Sequence, residues 1–123
     1  MTNKVLLIDD EEEFVTTLAE RLTLRGFDVK YALDGEGGLA ELEQWQPDIV
    51  VLDILMPGMS GTEVLRRIKR QFPDLPVILL SGHGSVRDAI EGMKHGAVDF
   101  LMKPVDINEL TSKLRDYLQR KKS

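Results

Sequence analysis

The chain has no cysteine. That excludes a disulfide framework, thiolate metal ligands and thiol nucleophiles, and it fits a reducing, cytoplasmic setting. Apolar runs are short, none near the ~18 residues that a membrane helix needs. The opening Met-Thr-Asn-Lys passes straight into apolar residues, with no basic n-region, long apolar core or cleavage site. Neither membrane insertion nor export is therefore expected. Cations are in the minority: 16 Lys and Arg face 21 Asp and Glu, a net charge of −5. This removes the electrostatic case for direct binding to nucleic acid. The basic stretch Arg120-Lys121-Lys122 reads as a solvated helix end, favoured by the helix dipole. Linkers, low-complexity tracts and internal repeats are also missing, so residues 1–123, 42% apolar and 30% charged, read as one globular domain.

What is present is organised around Ile49-Val50-Val51-Leu52-Asp53-Ile54-Leu55-Met56-Pro57-Gly58. An apolar run without alternation predicts a strand buried on both faces, hence a parallel sheet covered by helices. Asp53 follows that run at once. Met-Pro-Gly then breaks the chain, and Ser60-x-x-Glu63 has the spacing of a helix capping box. In turns an aspartate is often only a turn residue. Here it stands where a central strand stops, and in open α/β sheets ligands collect beyond the carboxyl ends of the strands.

The same grammar repeats along the chain. Val5-Leu6-Leu7-Ile8 is a buried strand ending in Asp9-Asp10. Glu11 to Glu13 open a helix with Phe14, Val15, Leu18, Ala19 and Leu22 on one side, ended by Gly26; acids suit its N-terminus. Residues 27–32 alternate, which predicts an edge strand with one wet face. Asp34 caps a helix carrying Leu39, Leu42 and Trp45, whose Gly35, Gly37 and Gly38 each cost roughly 1 kcal/mol relative to Ala. That helix is expected to be the least stable. The helix after Ser60 buries Val64, Leu65, Ile68 and Phe72. Val77-Ile78-Leu79-Leu80 leads to Ser81-Gly82-His83-Gly84. Ser85 with Asp88 is expected to cap a helix bearing Val86, Ala89, Ile90 and Met93. Ala97 to Met102 forms the last strand before Lys103-Pro104, and Asp106 with Glu109 caps a final helix with Ile107, Leu110, Leu114 and Leu118. Met56, Met59, Met93 and Met102 are expected in core or loop packing. Trp45 is expected to cover the core. Strand and helix alternating about five times means a parallel sheet wound on both faces.

In such a sheet the strands all leave at one edge. Asp9, Asp10, Asp53, Ser81 and Lys103 can therefore converge although the sequence scatters them. Three carboxylates together repel and raise the pKa of at least one. A hard divalent cation makes the cluster tolerable, and Mg²⁺ is typically held by one or two carboxylates plus phosphate. An ammonium and a hydroxyl nearby supply a point charge and a donor for a phosphoryl group. The chemistry implied is phosphoryl transfer onto or past a carboxylate.

Asp9-Asp10, Asp53 with Met56-Pro57-Gly58, Ser81-Gly82 and Lys103-Pro104, each after an apolar strand, resemble the receiver domain of two-component response regulators over essentially the whole chain. Gly-His-Gly-Ser-Val through Gly-Ala-Val-Asp-Phe-Leu-Met-Lys-Pro is most similar to receivers of nitrogen-regulator-like transcription factors. The resemblance implies a flavodoxin-like, doubly wound α/β fold: a five-stranded parallel sheet in order 2-1-3-4-5 with five helices. It implies a signalling switch rather than a turnover enzyme, catalysing only its own phosphorylation and dephosphorylation. Asp53 would accept a phosphoryl group from a histidine kinase, a phosphotransfer protein or a small phosphodonor. Mg²⁺ would be held by Asp10 directly, Asp9 through water, Asp53 and the Leu55 carbonyl. Lys103 would pair with phosphoryl oxygens, and its bond to Pro104 would be cis. Ser81 would hydrogen-bond the new group, and Phe100 would move inward. That movement would change the face made by the fourth helix, fifth strand and fifth helix, toward an output domain, a partner protein or a second copy on phosphorylation.

Four positions are notable. Ser81 stands where threonine is commoner, keeping the hydroxyl and losing a methyl. Phe100 replaces the frequent tyrosine. Leu55 and His83 occupy positions that in this family tune loss of the phosphoryl group, and Leu55 is expected to shield it from water. His83 taken alone is an ordinary exposed loop histidine, and His95 sits favourably at a helix C-terminus. Two other classes compete. One is a degenerate receiver used only for binding, against which the complete residue set argues. The other is an enzyme, either an Asp-nucleophile phosphatase or a flavin protein. Asp9-Asp10-Glu11 lacks the phosphatase's Asp-x-Asp, and an acidic loop there repels the phosphate of FMN. Lys94, Lys113 and Arg115 are expected as solvated charge or a partner face, and the chain as a stand-alone receiver or a piece of a longer regulator.

Overall fold

The computed structural model describes residues 3–82 and 84–122, with residues 121 and 122 by backbone alone. Five strands and five helices alternate: β1 Lys4–Ile8, α1 Glu12–Leu24, β2 Asp28–Ala32, α2 Gly35–Gln44, β3 Ile49–Asp53, α3 Gly61–Gln71, β4 Val77–Ser81, α4 Val86–Lys94, β5 Asp99–Met102 and α5 Ile107–Lys122. The sheet is parallel throughout, in the order β2-β1-β3-β4-β5. The two unalternating apolar runs at its centre, β3 and β4, are buried along their whole length, and the alternating β2 is the wet edge.

Strand residues point alternately to the two faces, and each face has its own core. Val5, Leu7, Ile49, Val51, Ile78 and Leu80 meet Val15, Leu18 and Leu22 of α1 and Leu110, Leu114 and Leu118 of α5. On the other face Leu6, Ile8, Val50, Leu52, Val77 and Leu79 meet Leu42 of α2 and Val64, Leu65 and Ile68 of α3. Trp45 closes the C-terminus of α2 and packs half-buried on this second core.

Helix starts agree with the sequence at three places. Asp34 accepts from the Gly37 amide (2.6 Å), Ser60 from Glu63 (3.3 Å), and Asp106 from Asn108 and Glu109 (2.8 and 3.2 Å). The glycines of α2 have a packing reason that composition alone does not reveal. A β-carbon on Gly38 would lie 2.4 Å from Ile8 Cδ1, and one on Gly35 2.6 Å from Val64 Cγ2. Their loss of helix propensity is therefore exchanged for close approach to the sheet and to α3.

The fourth helix departs from expectation twice. Ser85 is its N-cap residue, but the side chain caps nothing. Of the predicted apolar stripe only Ala89 is buried, with Gly92 beside it; Val86, Ile90 and Met93 are exposed at 40%, 50% and 37%. The reason is the close seat of Gly92, whose β-carbon would fall 2.3 Å from Leu79 Cδ1. A helix held by its small residues covers little of its own apolar face. Met93 and Met102 thus belong to the surface, whereas Met56 is buried and Met59 packs on the second core.

Candidate functional site

The end of β1 is fixed by the Asp9 amide donating to Ala32 O (3.1 Å), and that of β3 by Ile54 N to Leu80 O (3.0 Å). Ile8 pairs with Leu52, so the next residues, Asp9 and Asp53, come abreast on neighbouring strands. Both side chains sink to near-complete burial, 1% and 4% exposed, while Asp10 stays more open to solvent. Each of the three carboxylates offers an oxygen, and these atoms lie within 4.8 Å of one another. Short backbone contacts orient two of them: Glu11 N donates to Asp9 Oδ1 (2.9 Å) and Leu55 N to Asp53 Oδ1 (3.3 Å).

Lys103 reaches this hollow from the end of β5. Its amide donates to Ser81 O (2.8 Å), and the Lys103–Pro104 bond is cis, as the resemblance implies. The ammonium lies 2.8 Å from Asp9 Oδ2 and 3.5 Å from Asp53 Oδ2, and also pairs with Glu11 Oε1 at 2.5 Å. It sits 4.5 Å from the centroid of the Phe14 ring, which walls it from solvent on one side. Glu11 is the participant that sequence reasoning missed. It stands beside two acids already singled out, but as part of an acidic helix start it had a sufficient explanation in the dipole.

Burial is the largest influence on the Asp53 carboxyl, and with the nearby Asp9 charge it pushes the pKa up to about 6 against the pull of Lys103. Burial likewise raises Asp9, again opposed by Lys103. For Lys103 burial works to lower the pKa, but its contacts with Asp9, Glu11 and Asp53 outweigh it and leave the ammonium more firmly protonated than usual. The donor set suits a hard cation. Its oxygens are carboxylate, they converge, and Asp9 Oδ2 is buried with no hydrogen-bond partner among the described residues. The Lys103 ammonium beside that oxygen forms an ion pair without the alignment of a hydrogen bond.

The remaining predicted residues are placed as follows. Ser81 ends β4, fully buried, and its hydroxyl meets that of Ser85 at 2.7 Å. Phe100 on β5 is half-buried against the second core. Leu55, whose amide meets Asp53, is 52% exposed. His83 lies outside the described residues. Of the charges expected as solvated or as a partner face, Lys94 and Arg115 are exposed and Lys113 is half-buried. Lys113 pairs with Asp99 (2.7 Å), Lys94 with Glu91 (4.0 Å), and Arg115 lies over Phe27 and donates to Arg25 O.

A doubly wound parallel sheet with a lysine-bridged acidic hollow at its carboxyl edge defines an α/β receiver. Residues 5–115 match the response regulator receiver domain, and the chain belongs to that family. Among curated proteins it is similar to the transcriptional regulatory protein CpxR of Klebsiella pneumoniae, 41% identical over 118 residues. That alignment covers 96% of this chain and 50% of CpxR. The DNA-binding dual master transcriptional regulator RpaA of Synechocystis is 36% identical over 119 residues, covering 95% and 49%. The chain thus spans about half the length of the curated relatives it matches. Among solved structures, a receiver domain from Clostridium thermocellum superposes with a TM-score of 0.93 at 36% identity, covering 98% of this chain and 97% of that one. NtrX from Brucella abortus in complex with ADP gives 0.94 at 33% identity, covering 99% and 28%. No described helix is long and apolar enough to cross a membrane.

Proposed function

We propose that residues 1–123 act as one receiver unit, a phosphoacceptor switch in which Asp53 is the acceptor. The observation that carries this reading is the single Lys103 ammonium touching both Asp9 and Asp53, with Asp10 completing the carboxylate set. Asp9, Asp10 and Asp53, with the Leu55 carbonyl, would hold Mg²⁺, which when bound neutralises the phosphoryl oxygens. An Asp53 carboxylate oxygen attacks phosphorus on the phosphohistidine of a kinase or phosphotransfer protein, or on a small acyl phosphate. The new P–O bond replaces the P–N or P–O bond to the donor, which departs with the electron pair: an imidazole takes up a proton, and a carboxylate leaves as the anion. Lys103 pairs with the transferred oxygens, and Ser81 donates its hydroxyl proton to one of them.

The result is a population shift: the phosphoryl group binds one arrangement of the β4–α4 loop better than the other. Phe100 moves inward into the space so vacated. The exposed Val86, Ile90, Met93 and Met102 supply the α4 and β5 part of an α4–β5–α5 face that an output domain, a partner protein or a second copy then reads. Leu55 and His83 tune the lifetime of the acyl phosphate, and the setting is the cytoplasm, where the kinase's phosphohistidine is available.

Incubation with a small acyl phosphate and Mg²⁺, followed by intact mass measurement, should add one phosphoryl group to wild type and none to Asp53→Asn. Wild-type protein that gains no mass, or gains it equally when Asp53 is replaced, defeats the reading. Leu55→Asn should speed loss of the added group.

A further inference from the structure

Ser85 presents an anomaly that the acceptor chemistry does not use. It is the N-cap residue of α4, yet its hydroxyl makes no bond to the helix. The hydroxyl turns back into the β4–α4 loop, 2.9 Å from Gly82 O and 2.7 Å from Ser81 Oγ, and both serines are completely buried. Each hydroxyl has one proton. The short Ser85–Gly82 contact takes the Ser85 proton, so the Ser81 proton is donated to Ser85 Oγ. In the opposite assignment Ser81 donates to Gly82 O at 3.4 Å. Either way the proton that a phosphoryl oxygen would receive is held inside the loop.

The backbone agrees. Asp34 and Ser60, which bond their helices, have ψ of 172° and 157°, and Glu11, also extended with ψ of 94°, bonds none. Ser85 has ψ of 15°, outside the extended region that a capping residue occupies. The loop has room to change. A β-carbon on Gly82 would meet nothing within 4 Å, nor would one on Gly84, whose φ of +87° only glycine adopts without strain.

We propose that Ser85 is a positioning residue: its hydroxyl holds that of Ser81 away from the acceptor site at rest, and moves to cap α4 once a phosphoryl group claims Ser81. This deepens, and rests on, the reading of Asp53 as acceptor and Ser81 as its donor. The exchange conserves hydrogen bonds. Ser81 trades a neutral acceptor for a charged one, which is the stronger bond. Ser85 trades Ser81 for an orphan amide of the first helical turn, that of Arg87 or Asp88.

The test is the affinity of Mg²⁺-loaded protein for beryllofluoride, a phosphoryl mimic, measured by NMR titration. Ser85→Ala removes one hydrogen bond from the resting state and one from the bound state, so its affinity should stay within about threefold of wild type. Ser85→Thr, which keeps the hydroxyl, should stay near wild type. In Ser81→Ala, where that hydroxyl no longer holds Ser85 in the loop, the Arg87 or Asp88 amide should already be protected from hydrogen exchange without the mimic, which a merely structural role for Ser85 would not produce. Hydrogen exchange supplies a second reading: on binding the mimic, the Arg87 or Asp88 amide should gain protection in wild type and Ser85→Thr but not in Ser85→Ala. Arg87 and Asp88 amides that gain no protection in wild type on binding the mimic, or that gain it equally in Ser85→Ala, overturn the proposal. Wild type that neither binds beryllofluoride nor takes phosphate overturns the acceptor reading itself, and this inference with it.

Discussion

Helices α3 and α4 lie on the same face of the sheet, and both look amphipathic in sequence, yet they are attached in opposite ways. The first is capped by Ser60 and buries Val64, Leu65 and Ile68 completely. At roughly 1.5–3 kcal/mol for each large side chain removed from water, that face alone outweighs any plausible strain on it. The second has no side-chain cap, buries only Ala89 and Gly92, and leaves its larger apolar residues in solvent. One helix is part of the core; the other leans on it. Apolar periodicity reports which side of a helix is oily, not whether anything covers it. Elements that move in response to small chemical changes are drawn from the low-stability end of a structure, and α4 has the marks of one.

The comparison breaks first at the large side chains. Ile68→Ala should cost about 2–5 kcal/mol in chemical denaturation, whereas Ile90→Ala should stay within about 0.5 kcal/mol of wild type. Similar losses in the two would mean that α4 is as firmly packed as α3. The glycines come next. A methyl on Gly61 would sit 2.5 Å from Asp53 O and Ile54 Cα, backbone atoms that cannot yield, whereas one on Gly92 meets the tip of the Leu79 side chain. Gly61→Ala should lose about 3 kcal/mol and Gly92→Ala about 1, the latter softened by the better helix propensity of alanine.

A third test uses the acid hollow that closes the α3 side. Asp53 is raised in the folded protein to about 6 from an ordinary 3.8, chiefly by burial. The native state therefore holds a proton more tightly than the unfolded one, and stability falls as pH rises through the window between those values. In chelator at pH 7.5, Asp53→Asn should be more stable than wild type by about 1–3 kcal/mol, and near pH 4 the difference should close. A variant less stable than wild type at both values would refute that assignment of the cost. The smallest effect is the cap: Ser60→Ala should lose about 1 kcal/mol by thermal or chemical unfolding.

Much of this was legible in the chain itself. Continuous apolar runs gave β1, β3 and β4, alternation gave the edge strand β2, and the polar residue after each run gave Asp9, Asp53, Ser81 and Lys103. Parallel topology does the rest, because it sends every strand end to one edge. What escaped was whatever depends on distance across the fold. Glu11 reaches Lys103 across a separation of 92 residues, and no local pattern announces it. Asp99, Lys113 and Tyr117 form a cluster, with the Tyr117 hydroxyl 3.1 Å from Asp99 Oδ2, in which burial works to raise the Asp99 pKa but these partners lower it overall. In sequence Lys113 reads as a solvated charge. Ser85 escaped for another reason: its local preference for capping is real, but the buried Ser81 hydroxyl offers a competing partner that only the folded loop supplies.

The seat of Gly61 has a mechanical consequence. Its amide donates to Ile54 O (3.1 Å), and the start of α3 lies against the peptide that carries Asp53, with no space for even one added carbon. Asp53 is thereby splinted: its backbone cannot shift without dragging a fully packed helix along. Of the two strands that flank Asp53, β1 runs into a helix with Val15, Leu18 and Leu22 buried, and only β4 leads to a loosely seated helix, so a displacement at Asp53 finds its softest path there.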